Sequence, residues 1–117
     1  NPGYQRVLKD MKASTRQRFV ALSFDYPTPE LEAELVCQEA GVDTDLAKSL
    51  VKLAAMTRGL KDSGLAEGAS TRLLIQTGKL IGRGIPITVA CRAAISEPLS
   101  DDRELLAAMD EMISSLF

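Results

Sequence analysis

Glu67-Gly68-Ala69-Ser70-Thr71-Arg72-Leu73-Leu74 is the stretch on which the reading of this chain turns. Gly68 loosens the approach to a helix. Ser70 suits its N-cap, because a serine hydroxyl accepts from an orphan amide of the first turn. Leu73, Leu74, Thr77, Leu80 and Ile81 then recur at helical spacing. Arg72 is the anomaly. A cation in the first turn meets the positive end of the helix macrodipole, at a cost of about 0.3–1 kcal/mol. Two readings follow: Arg72 points into water or pairs with Glu67, or an arginine beside a helix N-terminus forms an anion site. Phosphate is the usual anion at such a site.

Outward from this helix the pattern stays helical. Downstream, the helix stops at Gly84, and its outer face carries Arg72, Gln76, Lys79 and Arg83, a basic stripe of the kind that is usually solvated. Pro86 starts a short helix containing Val89, Ala90, Cys91 and Ile95, ended near Pro98. Asp101 is expected to cap the last helix, with Glu104 three residues on as a capping box. Leu105, Met109, Met112 and Leu116 form its stripe, with Leu106 and Ile113 beside it; the methionines read as core filler.

Upstream, Asp43 caps a helix with Leu46, Leu50, Leu53, Ala54 and Thr57 on one face, and Gly59 and Gly64 mark its frayed end. Before it, Thr28 caps a helix with Pro29 at its first position and Glu30 and Glu32 near its positive end. Leu31, Leu35 and Val36 are its apolar stripe, and Gly41 ends it. Connections this short predict a compact antiparallel bundle.

Residues 1–27 read differently. Tyr4 to Met11 fits a short helix. Phe19 to Tyr26 reads as a strand, with Val20, Leu22, Phe24 and Tyr26 alternating and Pro27 stopping the run. A lone strand leaves its backbone groups unpaired, so its sheet is expected to lie mostly outside this stretch. An extended arm packed on the helices is the alternative. Asn1-Pro2-Gly3 is a turn signal with nothing before it and no initiator methionine, so the chain is expected to be a piece of a longer protein.

Composition narrows the function. With 117 residues, 45% hydrophobic and 26% charged, the chain is expected to form one globular domain. A net charge of -2 and an aromatic content of 4% disfavour a small nucleic-acid-binding domain. No apolar run approaches the roughly 18–20 residues that a membrane span needs. Histidine is absent, and the two cysteines, Cys37 and Cys91, are isolated, which argues against a zinc site. Reduced, buried thiols in a cytoplasmic protein are the simplest reading, with a disulfide between them as the alternative.

Little chemistry is held by the chain alone. It has no GxxxxGK[ST] loop, and Gly78-Lys79-Leu80 lacks the hydroxyl residue. It has no histidine-based acid–base pair. The carboxylates sit near helix starts, where capping accounts for them. The arginines stand out: Arg16 and Arg18 before the strand and Arg72 at a helix entrance, in a residue type suited to bidentate phosphate contact and to fingers supplied across a subunit boundary.

Five stretches now carry a resemblance: Asn1-Pro2-Gly3-Tyr4-Gln5, Ser14-Thr15-Arg16-Gln17-Arg18-Phe19, Phe24-Asp25-Tyr26-Pro27, Glu67 to Leu74, and Pro98-Leu99-Ser100-Asp101-Asp102. In this order they resemble the C-terminal part of the CbbQ/NirQ/NorQ group of MoxR-type AAA+ ATPases, over nearly the whole chain. The resemblance implies a mainly α fold: residues 28–117 as the helical AAA+ lid, and residues 1–27 as the edge of an α/β nucleotide-binding core with one strand. Walker A and Walker B would lie outside this segment.

The same resemblance implies roles. Asn1 matches sensor 1. Arg18 matches the arginine finger acting in trans, with Arg16 as the alternative or a second contact. Arg72 matches sensor 2, touching the ATP phosphates beside Ser70 within its own subunit. It further implies ATP with magnesium, the metal held outside this segment, and a homo-oligomeric ring, hexameric by family resemblance. A von Willebrand factor A-domain partner and a client enzyme, such as Rubisco or nitric oxide reductase, are also implied, with no nucleic acid and no membrane span. The segment alone is expected not to hydrolyse ATP. The competing reading is a non-catalytic helical interaction domain that docks an acidic partner on the basic stripe.

Overall fold

A computed structural model describes residues 26–117, and they form a bundle of helices with no strand among the described residues. The predicted strand over 19–26 lies outside them except for Tyr26, which is in no regular element. Helix α1 spans Pro29–Ala40, α2 Thr44–Arg58 and α3 Thr71–Gly82. A 3-10 turn, Gly59–Ser63, follows α2. Helix α4 begins as Ile87–Cys91, widens through Arg92–Ser96 and ends as Glu97–Leu99, and α5 spans Arg103–Leu116.

The helix starts follow from their caps. The Thr28 hydroxyl accepts from the Leu31 amide at 3.2 Å, with Pro29 at the first position, where its missing N–H costs nothing. The Asp43 carboxylate accepts from Leu46 at 2.7 Å and the Ser70 hydroxyl from Leu73 at 3.3 Å. The last cap differs from the expectation by one residue. Asp102, not Asp101, accepts from the Glu104 and Leu105 amides, at 2.9 and 3.1 Å. The Ser100 hydroxyl takes the Asp102 amide at 3.0 Å, so that donor is satisfied without the expected Asp101–Glu104 box. Gly41 ends α1 at φ 71, a conformation that residues with a Cβ adopt only at a steric cost.

The bundle closes on Val36, Ala47, Leu50, Leu53, Ala54, Leu74, Cys91, Ile95 and Ile113. α1 packs against both α2 and α3, while α4 and α5 cover the other side of the core. Three details of the expected stripes change. Leu31, expected inward, is 48% exposed, and its neighbour Glu32 is buried in its place. Ile113, expected beside the α5 stripe, lies at its centre with Met109. Val89 on α4 is 50% exposed.

The wide turn in α4 has a local cause. Pro98 lacks an N–H, and its ring presses on the carbonyl four residues back, so a regular α turn cannot run through it. The Glu97 amide bonds instead to the Arg92 carbonyl, five residues back. Cys37 and Cys91 are both free thiols. Cys91 is fully buried, and desolvation pushes its thiol from 9.0 up to about 11. No helix among the described residues is long and apolar enough to cross a membrane.

Candidate functional site

Arg72 occupies the second position of α3, behind the Ser70 cap and Thr71. Its side chain is exposed and makes no ion pair among the described residues, with Glu67 or any other carboxylate. The Leu73 amide is taken by Ser70 Oγ and the Leu74 amide by the Ser70 carbonyl at 3.3 Å. No acceptor among the described residues takes the amides of Thr71 and Arg72. A guanidinium and two free N–H groups therefore share one helix end. Such a set fits an anion with several oxygens, such as a phosphate, sulfate or carboxylate.

The loop that delivers this helix end is held from beneath by a cluster that the sequence reading missed. Glu32 of α1 is 1% exposed. Its two carboxylate oxygens accept from both terminal nitrogens of Arg58, at the end of α2, at 2.9 and 2.7 Å. Oε2 also accepts from the Thr71 hydroxyl at 2.7 Å. Arg58 Nε donates to the Ala69 carbonyl at 2.9 Å, and the Ala69 amide donates to the Thr57 hydroxyl at 3.0 Å. The Tyr26 ring lies under the same guanidinium, 3.6 Å from its centroid to Cζ. Gly68 completes the contact: a Cβ there would sit 2.5 Å from Arg58 Cα, so the loop closes only because this residue has none.

Two consequences follow for the electrostatics. The buried carboxylate next to the α3 end is matched by the partly buried Arg58 cation, so the cluster adds no net negative charge near Arg72. Glu32 lies in the first turn of α1, but its oxygens are taken by Arg58 and Thr71, so helix-start placement alone does not account for every carboxylate. A signal did exist. Glu32 falls in phase with buried Val36, and Arg58 falls in phase with buried Leu50, Val51 and Ala54. Charges in the phase of an apolar face are a sign of mutual pairing.

The other expected site residues divide cleanly. Ser70 and Arg72 stand together at the α3 end as predicted. Asn1, Arg16 and Arg18 lie outside the described residues. The basic stripe of Arg72, Gln76, Lys79 and Arg83 is exposed along α3. Its C-terminal half borders a shallow groove of about 430 Å³ against Ala93, Ala94 and Pro98. No group of acidic, cysteine or histidine side chains among the described residues is arranged to hold a metal.

A family model described as CbbQ/NirQ/NorQ C-terminal matches residues 32–116. Protein CbbQ of Hydrogenophilus thermoluteolus is 50% identical over 117 residues, covering 100% of this chain and 44% of that protein. Protein NorQ of Paracoccus denitrificans is 47% identical over 117 residues, covering 100% of this chain and 43% of that protein. The denitrification regulatory protein NirQ of Pseudomonas aeruginosa is 50% identical over 113 residues, covering 97% of this chain and 44% of that protein. The chain thus spans less than half the length of these relatives.

Proposed function

The chain belongs to the CbbQ/NirQ/NorQ C-terminal family, and from that premise we propose that it is the C-terminal segment of a ring-forming AAA+ ATPase, with Arg72 contacting nucleotide phosphate from the lid. Residues 28–117 are the lid, and residues 1–27 are the edge of the α/β core. The observation that carries this reading is the exposed Arg72, with no ion pair among the described residues, beside two amides with no acceptor among them, at a helix end fixed from below. Without an anion there, the arginine is a small liability, repelled by the helix end. With phosphate oxygens in reach, the same guanidinium makes two parallel charged hydrogen bonds.

ATP with magnesium supplies the phosphoryl group that is hydrolysed, with the metal held by residues outside this segment. Arg72 binds and orients phosphate oxygens, and Ser70 keeps the first turn of α3 formed under it. Asn1 orients the attacking water as sensor 1. Arg18 reaches the neighbouring subunit's nucleotide as the finger, with Arg16 as the alternative. The segment has neither Walker motif, so it turns over no ATP by itself. The ring is a homo-oligomer, hexameric by family resemblance. It works in the cytoplasm with a von Willebrand factor A-domain partner to activate or remodel a client enzyme of the Rubisco or nitric oxide reductase type. The name of the Pseudomonas relative, a denitrification regulatory protein, supports a regulatory role.

The test is Arg72→Ala in the full-length protein. Losing a charged hydrogen bond costs about 1.5–3 kcal/mol, which is roughly a tenfold to hundredfold loss in nucleotide affinity or turnover. Arg72→Lys is expected to rescue only part of it, because lysine lacks the planar fork. The melting temperature is expected to hold, since no core contact is lost. Unchanged nucleotide titration and hydrolysis would leave Arg72 as a solvated surface charge.

A further inference from the structure

What sets the position of Arg72 is not α3 alone. The loop Gly68–Thr71 delivers that helix, and its polar groups are tied to the last turn of α2 and to α1. Both backbone groups of Ala69 are spoken for: Arg58 Nε donates to its carbonyl at 2.9 Å, and its amide donates to Thr57 at 3.0 Å. Thr71 is tied to Glu32 at 2.7 Å, and Arg58 holds Glu32 by two bonds of 2.9 and 2.7 Å. On its open face the same guanidinium meets the Tyr26 ring at 3.6 Å. Tyr26 lies two residues ahead of the Thr28 cap of α1. One planar group therefore touches Tyr26 ahead of α1, Glu32 of α1, and the loop that starts α3.

From this arrangement we propose that Arg58 is a positioning residue that couples Tyr26, ahead of α1, to the placement of Arg72 at the head of α3. It rests on the nucleotide reading given above for Arg72. A structural ion pair needs only opposite charge, and lysine at 58 would meet that need. Coupling needs three directed N–H bonds and a flat face at once, which only the guanidinium supplies. A turn of the chain at Tyr26 shifts the plane of Arg58. That plane is bonded to the Ala69 carbonyl, so the first turn of α3 moves with it. Thr71 extends the tie through Glu32, one residue from Arg72.

The experiment uses the full-length protein with Arg58→Lys, and Thr71→Val as a second variant that removes only the hydroxyl bonded to Glu32. Amide hydrogen exchange is read at Ala69, Leu73 and Leu74, and hydrolysis is read with Mg-ATP. Exchange at these three amides is expected to quicken about tenfold, while the amides of Leu50 to Ala54 keep their protection. KM for Mg-ATP is expected to rise severalfold with Arg72 present. It should show no further rise when either variant is combined with Arg72→Ala, because the effect passes through Arg72. Undisturbed exchange in both variants, or a KM increase that adds in full to that of Arg72→Ala, overturns the proposal. A wild-type KM in Arg72→Ala alone overturns instead the nucleotide reading beneath it; the exchange measurement is independent of that reading, so the two failures are told apart.

Discussion

Arg58→Met is the most severe single change the structure predicts among the described residues. It keeps much of the aliphatic bulk and removes the only cation paired with the Glu32 carboxylate among the described residues. That carboxylate is 1% exposed, so water cannot replace the lost partner. Among the described residues, Thr71 remains as its one hydrogen-bond donor. Stripping one member from a buried ion pair costs about 3–5 kcal/mol, because the survivor is charged and unsolvated. The Ala69 carbonyl loses its donor in the same step, but this belongs to the same network and does not add in full. Urea denaturation of the chain, followed by circular dichroism, reads the loss. At a slope of about 1–2 kcal/mol per molar, the midpoint should fall by about 1.5–5 M. The converse change, Glu32→Leu, should cost less, because the Arg58 side chain is 13% exposed and its guanidinium can turn toward water. The double variant Glu32→Leu/Arg58→Met buries no charge and should recover most of the Arg58→Met loss, with a coupling of about 2 kcal/mol or more across the cycle. Equal single costs without coupling would show that the two side chains do not depend on each other, and the account of the cluster would fail.

Three further outcomes follow from local geometry. Gly68→Ala should destabilise by about 1–3 kcal/mol in the same denaturation, because its Cβ would meet Arg58 backbone at 2.5 Å. Gly82→Ala, with nothing within 4 Å of its Cβ, should stabilise α3 by up to about 0.5–1 kcal/mol. Asp102→Ala should cost about 1 kcal/mol for the lost cap, while Asp101→Ala should stay within about 0.5 kcal/mol; the reverse ranking would restore the Asp101 box. For Cys91, the folded thiol near 11 against 9.0 for an ordinary one means that the folded state holds the proton more tightly. Its contribution is therefore full below about pH 9 and is lost as pH rises through 11. On the order of 2 kcal/mol should disappear across that window relative to Cys91→Ala, measured by melts at stepped pH.

The sequence by itself determined the helices and most of their ends. Thr28, Asp43 and Ser70 cap residues three positions ahead, and Gly41 closes α1, all through contacts within one turn. Such contacts need no knowledge of the rest of the fold. Ser70 and Arg72 at one helix entrance were legible for the same reason. The Asp101 cap was misplaced by one residue because two adjacent aspartates offer the same chemistry, and Ser100 decides between them by taking the Asp102 amide. Tertiary structure alone decided the roles of Glu32, Arg58 and Thr71. Glu32 meets Arg58 across 26 residues and Thr71 across 39. In sequence, Glu32 and Arg58 share the phase of an apolar face, but nothing local says which partner each one meets. Only when α1, α2 and α3 pack does water leave the carboxylate. The cost of burying that charge then selects the one arrangement in which Arg58 and Thr71 both reach it, and the head of α3 is fixed where Arg72 emerges.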